Sequence, residues 1–189
     1  RRLLNDQLIF QAQHDAVTKL PNRFLFTERL EQALSAAKEG KTGVALLYVD
    51  LDDFKLINDT WGHSAGDSLL CEVAARFLKC LRGTDTVART GGDEFTAIIS
   101  DLESPEGAQE VAQKLLRALR SPFEVEGQRL RISASIGISV FPQDGEEAES
   151  LQRHADRAMY RAKNNGKNAF ERFSAAPVGA DPRTKRLIH

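Results

Sequence analysis

The reading of Asp85-Thr86-Val87-Ala88-Arg89-Thr90-Gly91-Gly92-Asp93-Glu94-Phe95-Thr96-Ala97-Ile98-Ile99-Ser100 decides the fold. Two strand-like runs, Asp85–Arg89 and Phe95–Ser100, flank two glycines and two adjacent acids. Gly91-Gly92 between apolar runs predicts a β-hairpin, because glycine alone takes positive φ at no steric cost. Such a turn also lets a bulky ligand approach the backbone. Asp93 and Glu94 then stand at the tip of a rigid hairpin, where they could hold a divalent cation near phosphates. On its own, Gly-Gly-Asp-Glu would be an ordinary exposed turn. A second acidic site upstream changes that balance.

That site follows Val44-Ala-Leu-Leu-Tyr-Val49, an unbroken apolar run of strand length that reads as a buried central strand. It ends at Asp50-Leu51-Asp52-Asp53. Acids at the end of a buried strand are held in place by the core while the tip stays open, which is where α/β proteins place function. One of Asp52 and Asp53 is expected to cap the next helix. Asp50, nearest the hydrophobic end of the strand, is harder to assign to capping.

Outward from these two sites, residues 1–14 read as the end of a signalling helix or linker, with Leu3, Leu4, Leu8 and Ile9 at helical spacing. A turn-rich stretch containing Pro21 follows. Phe24, Leu25, Leu30, Ala33, Leu34 and Ala37 give a helical apolar face capped at Gly40. Phe54 to His63 predicts a short helix closed by Gly62. Ser64 to Arg82 predicts a long one with Leu69, Leu70, Val73, Phe77, Leu78 and Leu81 inward. Beyond the hairpin, a helix over 105–120 is expected, and then Phe123–Val125, pairing with a strand after Gly127. That later strand, Arg131–Val140, alternates Ile132, Ala134, Ile136, Ile138 and Val140 with Ser133, Ser135, Gly137 and Ser139. Its small face invites close packing. A helix over 147–164 and an edge strand over 168–173 complete the expected α/β domain with a mixed sheet, and 173–189 read as a tail.

Composition narrows the function classes. The chain has 189 residues, enough for one domain with a proper core, and 26 Lys and Arg against 27 Asp and Glu. The net charge of −1 argues against a nucleic-acid partner, so phosphate binding must come from local clusters. No apolar run approaches the ~20 residues of a membrane span, and no signal peptide is visible. The chain opens on Arg1 and its one methionine is Met159. It therefore reads as a piece of a longer protein, with a cytoplasmic address expected, including as the cytoplasmic part of a membrane-anchored one. Cys71 and Cys80 on one helix would lie ~13 Å apart on opposite faces, too far for a disulfide.

With these pieces located, the chain resembles the GGDEF domain of diguanylate cyclases from Asp15 to about Asn168. The resemblance is carried by Leu20-Pro21-Asn22-Arg23, Asp50-Leu-Asp52-x-Phe54-Lys55-x-Ile57-Asn58-Asp59, Gly62-His63-x-x-Gly66-Asp67, Arg89-x-Gly91-Gly92-Asp93-Glu94-Phe95, Ser135-Ile-Gly137 and Ala155-Asp156-x-Ala158-Met159-Tyr160-x-Ala162-Lys163. It implies a five-stranded mixed sheet wrapped by helices, related to class III nucleotide cyclase cores and polymerase palms. The activity implied is condensation of two GTP into cyclic diguanylate with release of two pyrophosphates.

The same resemblance implies the site. Asp50, the Leu51 carbonyl and Asp93 match metal ligands for Mg2+ or Mn2+. Glu94 helps hold a second ion, and Asp93 is also the proton acceptor. Asp67 takes the guanine edge, joined by Asn58 and His63; Asn58 and Asp67 also lie where helix caps are expected. Gly91 and Gly92 let substrate approach, and Lys55, Lys163 and Lys167 match triphosphate contacts. Arg82-Gly-Thr-Asp85 matches the family's Arg-x-x-Asp inhibitory site for cyclic diguanylate. One domain binds one GTP, so a homodimer is implied. An upstream sensory domain and a downstream phosphodiesterase EAL domain are the attached partners it suggests. Lys19 departs from the family's glycine, and Thr90 from its usual large residue.

Overall fold

The computed structural model describes residues 2–174, with side chains from residue 7 onward. The expected tail beyond Ser174 lies outside the described residues. Strand β1 (Gly43–Leu51) is the centre of a five-stranded sheet ordered β2-β3-β1-β6-β7. Strands β2 (Thr86–Arg89) and β3 (Glu94–Leu102) form the antiparallel hairpin, and β3 and β6 (Ala134–Phe141) flank β1 antiparallel. Strand β7 (Ala169–Arg172) runs parallel to β6 at the edge, which makes the sheet mixed as expected.

The apolar run of β1 serves both faces because side chains alternate along a strand. Ala45, Leu47, Val49 and Leu51 enter a core with Leu69, Val73 and Phe77 of helix α4 (His63–Cys80) and Ala112 and Leu115 of helix α5 (Glu106–Ala118). Val44 and Leu46 enter a second core under helices α2 (Arg23–Gly40) and α6 (Ala148–Asn164). Fully burying each large side chain contributes about 1.5–3 kcal/mol. Phe26, Phe77, Phe95 and Phe123 are all fully enclosed, with Phe77 and Phe95 edge to face at 5.5 Å.

The small face of β6 packs as the alternation suggested. A Cβ on Gly137 would stand 2.0 Å from Ala155 O and 2.2 Å from Met159 N, so the backbone of α6 lies directly on the strand. Ser139 Oγ donates to Leu151 O at 2.8 Å beside it.

Several sequence expectations are corrected. Phe123–Val125 (β4) does not pair with the long strand; it forms a separate hairpin with β5 (Gln128–Leu130). The long strand starts at Ala134 rather than Arg131, because Ser133 turns to meet Asp52: its carbonyl accepts Asp52 N at 2.9 Å. Phe24 is exposed and Phe26 takes the inward place on α2; Leu78 of α4 is exposed as well. The left-handed cap of α2 is Lys41 (φ 54°), one residue past Gly40. Asp53 occupies the N-cap position of helix α3 (Phe54–Trp61) but makes no side-chain cap bond, and Asp52 does not cap either.

The hairpin itself exists, with a longer loop than two glycines imply. Arg89 pairs with Phe95, and Thr90 N donates to Glu94 O at 3.1 Å, leaving Gly91, Gly92 and Asp93 to make the bend. Neither Gly91 nor Gly92 has a positive φ. The loop is shaped from outside instead. Arg89 Nε and Nη2 donate to Gly92 O, and Arg23 Nε and Nη2 donate to Thr90 O.

Candidate active site

Sheet register brings the two acidic stretches together. Asp50 at the end of β1 is the direct partner of Glu94 at the start of β3, and Leu51 N donates to Asp93 O at 3.1 Å. Asp50 shares the sheet face of Leu46, so it faces α6. There Lys163 Nζ lies 2.8 Å from its Oδ1. Asp50 is only 6% exposed. Burial raises its carboxyl above the ordinary value, the Lys163 bond lowers it, and the charges of Asp93 and Glu94 push it up again. The net shift is upward: one lysine does not neutralise this acid cluster.

The donor set fits a hard divalent cation. Carboxylate oxygens and a main-chain carbonyl suit Mg2+ or Mn2+, and Mg2+ takes few protein ligands beside phosphate oxygens. Among the described residues, no three His, Cys, Asp or Glu side chains are grouped to hold an ion.

The other sequence-assigned residues surround this point at different depths. Asn58 of α3 is half-buried, its Oδ1 enclosed without a hydrogen-bond partner and pressed against Gly66. That contact holds the side chain between α3 and α4. Asp67, His63 and Lys55 are exposed, the first two on the opening turns of α4 beyond Gly62 (φ 88°). Lys167 follows α6 in a left-handed conformation (φ 61°) and its Nζ lies 2.6 Å from Asp53 Oδ1. Gly91 and Gly92 lie at the bend of the loop. A cleft of about 440 Å³ runs from Glu94 between α2 and α6, lined by Arg23, Tyr48, Arg153 and Asp156. Tyr48 donates to Gln152 Oε1 at 3.1 Å at its floor, and burial pushes its hydroxyl up to about 12.

Arg82 and Asp85 lie apart from this cluster, at the entry to β2. The Asp85 side chain is 2% exposed and accepts from Arg82 N at 2.9 Å and Ser100 N at 3.3 Å. Arg82 is 59% exposed and reaches Asp85 and Ser100 O. They border a cleft of about 390 Å³ also lined by Glu110 and Lys114 of α5.

The comparisons with known proteins decide the family. The family described as diguanylate cyclase, GGDEF domain, matches residues 12–169. The chain belongs to the GGDEF domain family. It is 43% identical over 185 residues to the bifunctional diguanylate cyclase/cyclic di-GMP phosphodiesterase MucR of Pseudomonas aeruginosa, covering 98% of this chain and 27% of that protein. It therefore spans about a quarter of that relative. The solved GGDEF domain of TpbB (YfiN) from Pseudomonas aeruginosa superposes with a TM-score of 0.84 at 37% identity, covering 91% of this chain and 98% of that one. The coiled coil and GGDEF domain of DgcB from Caulobacter crescentus, solved in complex with c-di-GMP, gives 0.81 at 28% identity, covering 90% and 91%. The expected sheet architecture is that of these GGDEF structures.

Sequence reasoning missed the residues that hold this GGDEF site in shape: Asp15, Arg23 and Arg89 around the loop, and Asp52 behind it. Asp15 signals itself only as an acid three residues before Thr18, whose N–H and hydroxyl it accepts. Lys114, which lines the same cleft as Arg82, carries no local signal.

Proposed function

We propose that this GGDEF domain condenses two GTP molecules into cyclic diguanylate. In each half-reaction a ribose 3′-oxygen forms a bond to an α-phosphorus, the bond from that phosphorus to the bridging oxygen breaks, and pyrophosphate and a proton leave. The observation that carries the reading is the Asp50–Glu94 register pair with Asp93 alongside, at the open end of a buried strand. Every acid of the motif is present.

Asp50, Asp93 and the Leu51 carbonyl would hold Mg2+ or Mn2+, with Glu94 toward a second ion. When bound, the cations neutralise phosphate charge and lower the pKa of the attacking hydroxyl. The chain's own groups do the remainder. Asp93 accepts the proton. Lys163 exchanges Asp50 for a phosphate oxygen as substrate enters, while Lys55 and Lys167 add positive charge along the triphosphate. Asp67 and Asn58 read guanine, whose paired N1–H and N2–H₂ donors suit a carboxylate; adenine would leave that acceptor unpaired, at a cost of about 1–3 kcal/mol. His63 adds a further substrate contact.

Two such domains must face each other, so the active unit is a homodimer under the control of attached domains, an upstream sensor and a downstream EAL domain. Cyclic diguanylate, the ligand named for the DgcB complex, would occupy the Arg82–Asp85 cleft as inhibitor. The second reading, a non-catalytic GTP or cyclic diguanylate binding module, is favoured by relatives named for phosphodiesterase activity alone, such as the cyclic di-GMP phosphodiesterase NbdA of Pseudomonas aeruginosa, 39% identical over 163 residues.

The test is an enforced dimer given GTP and Mg2+, with products separated by chromatography. Cyclic diguanylate supports the cyclase. Tight GTP binding without product in a proven dimer replaces it by the binding module.

A further inference from the structure

Behind the acid cluster lies a buried carboxylate. Asp52 is 7% exposed. Its Oδ1 accepts from Ser135 Oγ at 2.7 Å, and its Oδ2 accepts from Ser133 Oγ at 2.6 Å and Asn168 N at 3.0 Å. Three neutral donors thus converge on one anion from two segments remote in sequence: the start of β6 and the turn between α6 and β7. Burying an ionised carboxylate costs several kcal/mol, and short charge-assisted bonds are what offset it.

The turn held by Asp52 is a strained one. Gly166 (φ 114°), Lys167 (φ 61°) and Asn168 (φ 46°) are consecutive positive-φ residues, two of them with side chains. Left-handed backbone costs an L-residue about 1–2 kcal/mol, so such a run persists only where outside contacts hold it. The Asn168 N–H bond to Asp52 is one of those contacts. Lys167 N donating to Ala162 O at 3.1 Å is another. The turn delivers the Lys167 ammonium to Asp53, the immediate neighbour of Asp52.

We propose that Asp52 is a positioning residue for the triphosphate. It locks the Lys167 turn against the loop after β1, so that this ammonium and the Leu51 carbonyl stand at a set separation when the phosphates arrive. The inference rests on the reading of this site as a GTP site and deepens it. Asp52 touches no substrate; it acts through Lys167. A carboxylate suits the role because three donors point at it, and an asparagine would present N–H groups to at least one of them.

The experiment uses 3′-deoxy-GTP, which lacks the attacking hydroxyl and so reads binding without turnover, and guanosine, which lacks phosphates. In Asp52→Asn, preference for the triphosphate over guanosine should fall about tenfold, with Asn168 amide exchange accelerated. Lys167→Ala in the same background should then cost little more, because both changes remove one interaction. An unchanged preference, or an equal loss of both affinities, overturns the proposal, since general loosening moves both ligands together. Should Asp52→Asn not fold, Ser135→Ala, which removes one donor and keeps the acid, carries the same expectation at about threefold. If the unsubstituted protein shows no preference for 3′-deoxy-GTP over guanosine, the GTP reading itself falls, and this inference with it.

Discussion

Arg89 and Asp15, 74 residues apart, are joined side chain to side chain: Nη1 of the arginine is shared by both carboxylate oxygens, at 3.0 and 2.9 Å. The rest of the guanidinium holds Gly92 O at 3.1 and 2.7 Å. One side chain therefore ties the segment before α2 to the loop that presents Asp93. The same segment meets helix α1 (Arg2–Gln13) through Asn22 Nδ2 donating to Ala12 O at 2.8 Å.

Arg89→Lys should lower stability by about 2 kcal/mol in urea unfolding and reduce GTP turnover, because lysine lacks the planar fork. Burial raises the Asp15 carboxyl, but the bonds from Thr18 and Arg89 outweigh it and hold it below the ordinary 3.8. Its stabilisation is thus complete above 3.8 and lost as pH falls through the lowered value. The acid-unfolding midpoint should move to higher pH in the variant.

Asp50→Asn should abolish cyclic diguanylate synthesis without destabilising the fold. Ionising a carboxyl whose value is raised costs the folded state free energy, and this cost grows as pH rises from 3.8 through the raised value. At neutral pH and without divalent cation, the variant should be at least as stable as the parent. The parent should gain on it as pH is lowered through that window. A clearly less stable variant at neutral pH would contradict the electrostatic account.

Lys19, where the family pattern has glycine, is left-handed with φ 61°, and its Nζ donates to Ala16 O at 2.7 Å. The turn carries the strain of a side chain in that region. Lys19→Gly should raise stability by about 0.5–1 kcal/mol, seen as a higher Tm.

Two glycines should respond in opposite ways to alanine. At Gly137 the new methyl would strike the backbone of α6, which cannot give, so Gly137→Ala should fail to fold or lose well over ~3 kcal/mol. At Gly66 it would strike Asn58 Oδ1 at 1.8 Å, the end of a side chain that can swing away. Gly66→Ala should stay folded by circular dichroism while its preference for GTP over ATP weakens.

Arg82→Ala should relieve product inhibition and leave the fold intact, because Asp85 keeps its two backbone donors, Arg82 N and Ser100 N. Equal inhibition in the variant, measured as synthesis rate against added cyclic diguanylate, would remove the inhibitory role.

Local pattern was sufficient for most of the architecture. The stripe Leu151, Ala155, Ala158, Met159 and Ala162 and the small face of Ser135, Gly137 and Ser139 each report a period that one kind of element satisfies, while the unbroken run Val44–Val49 reads as a strand by its length. Where pattern failed, packing had overridden it. Phe24 and Phe26 both suit α2, and only the neighbouring strands choose between them. The break at Arg131–Ser133 is invisible to alternation because its cause, Asp52, lies 81 residues away.

The spacing of residues along the chain was thus enough to establish most strands, the helices and the two acidic stretches, since periodicity and turn chemistry are short-range properties. Pairing of Asp50 with Glu94, the Lys163 bond on Asp50, the Arg89 clamp on Gly92 and the enclosure of Asp52 were settled only by the folded chain. Each joins groups whose separation in sequence carries no energy of its own, and whose meeting depends on strand register and on helices docking across the sheet.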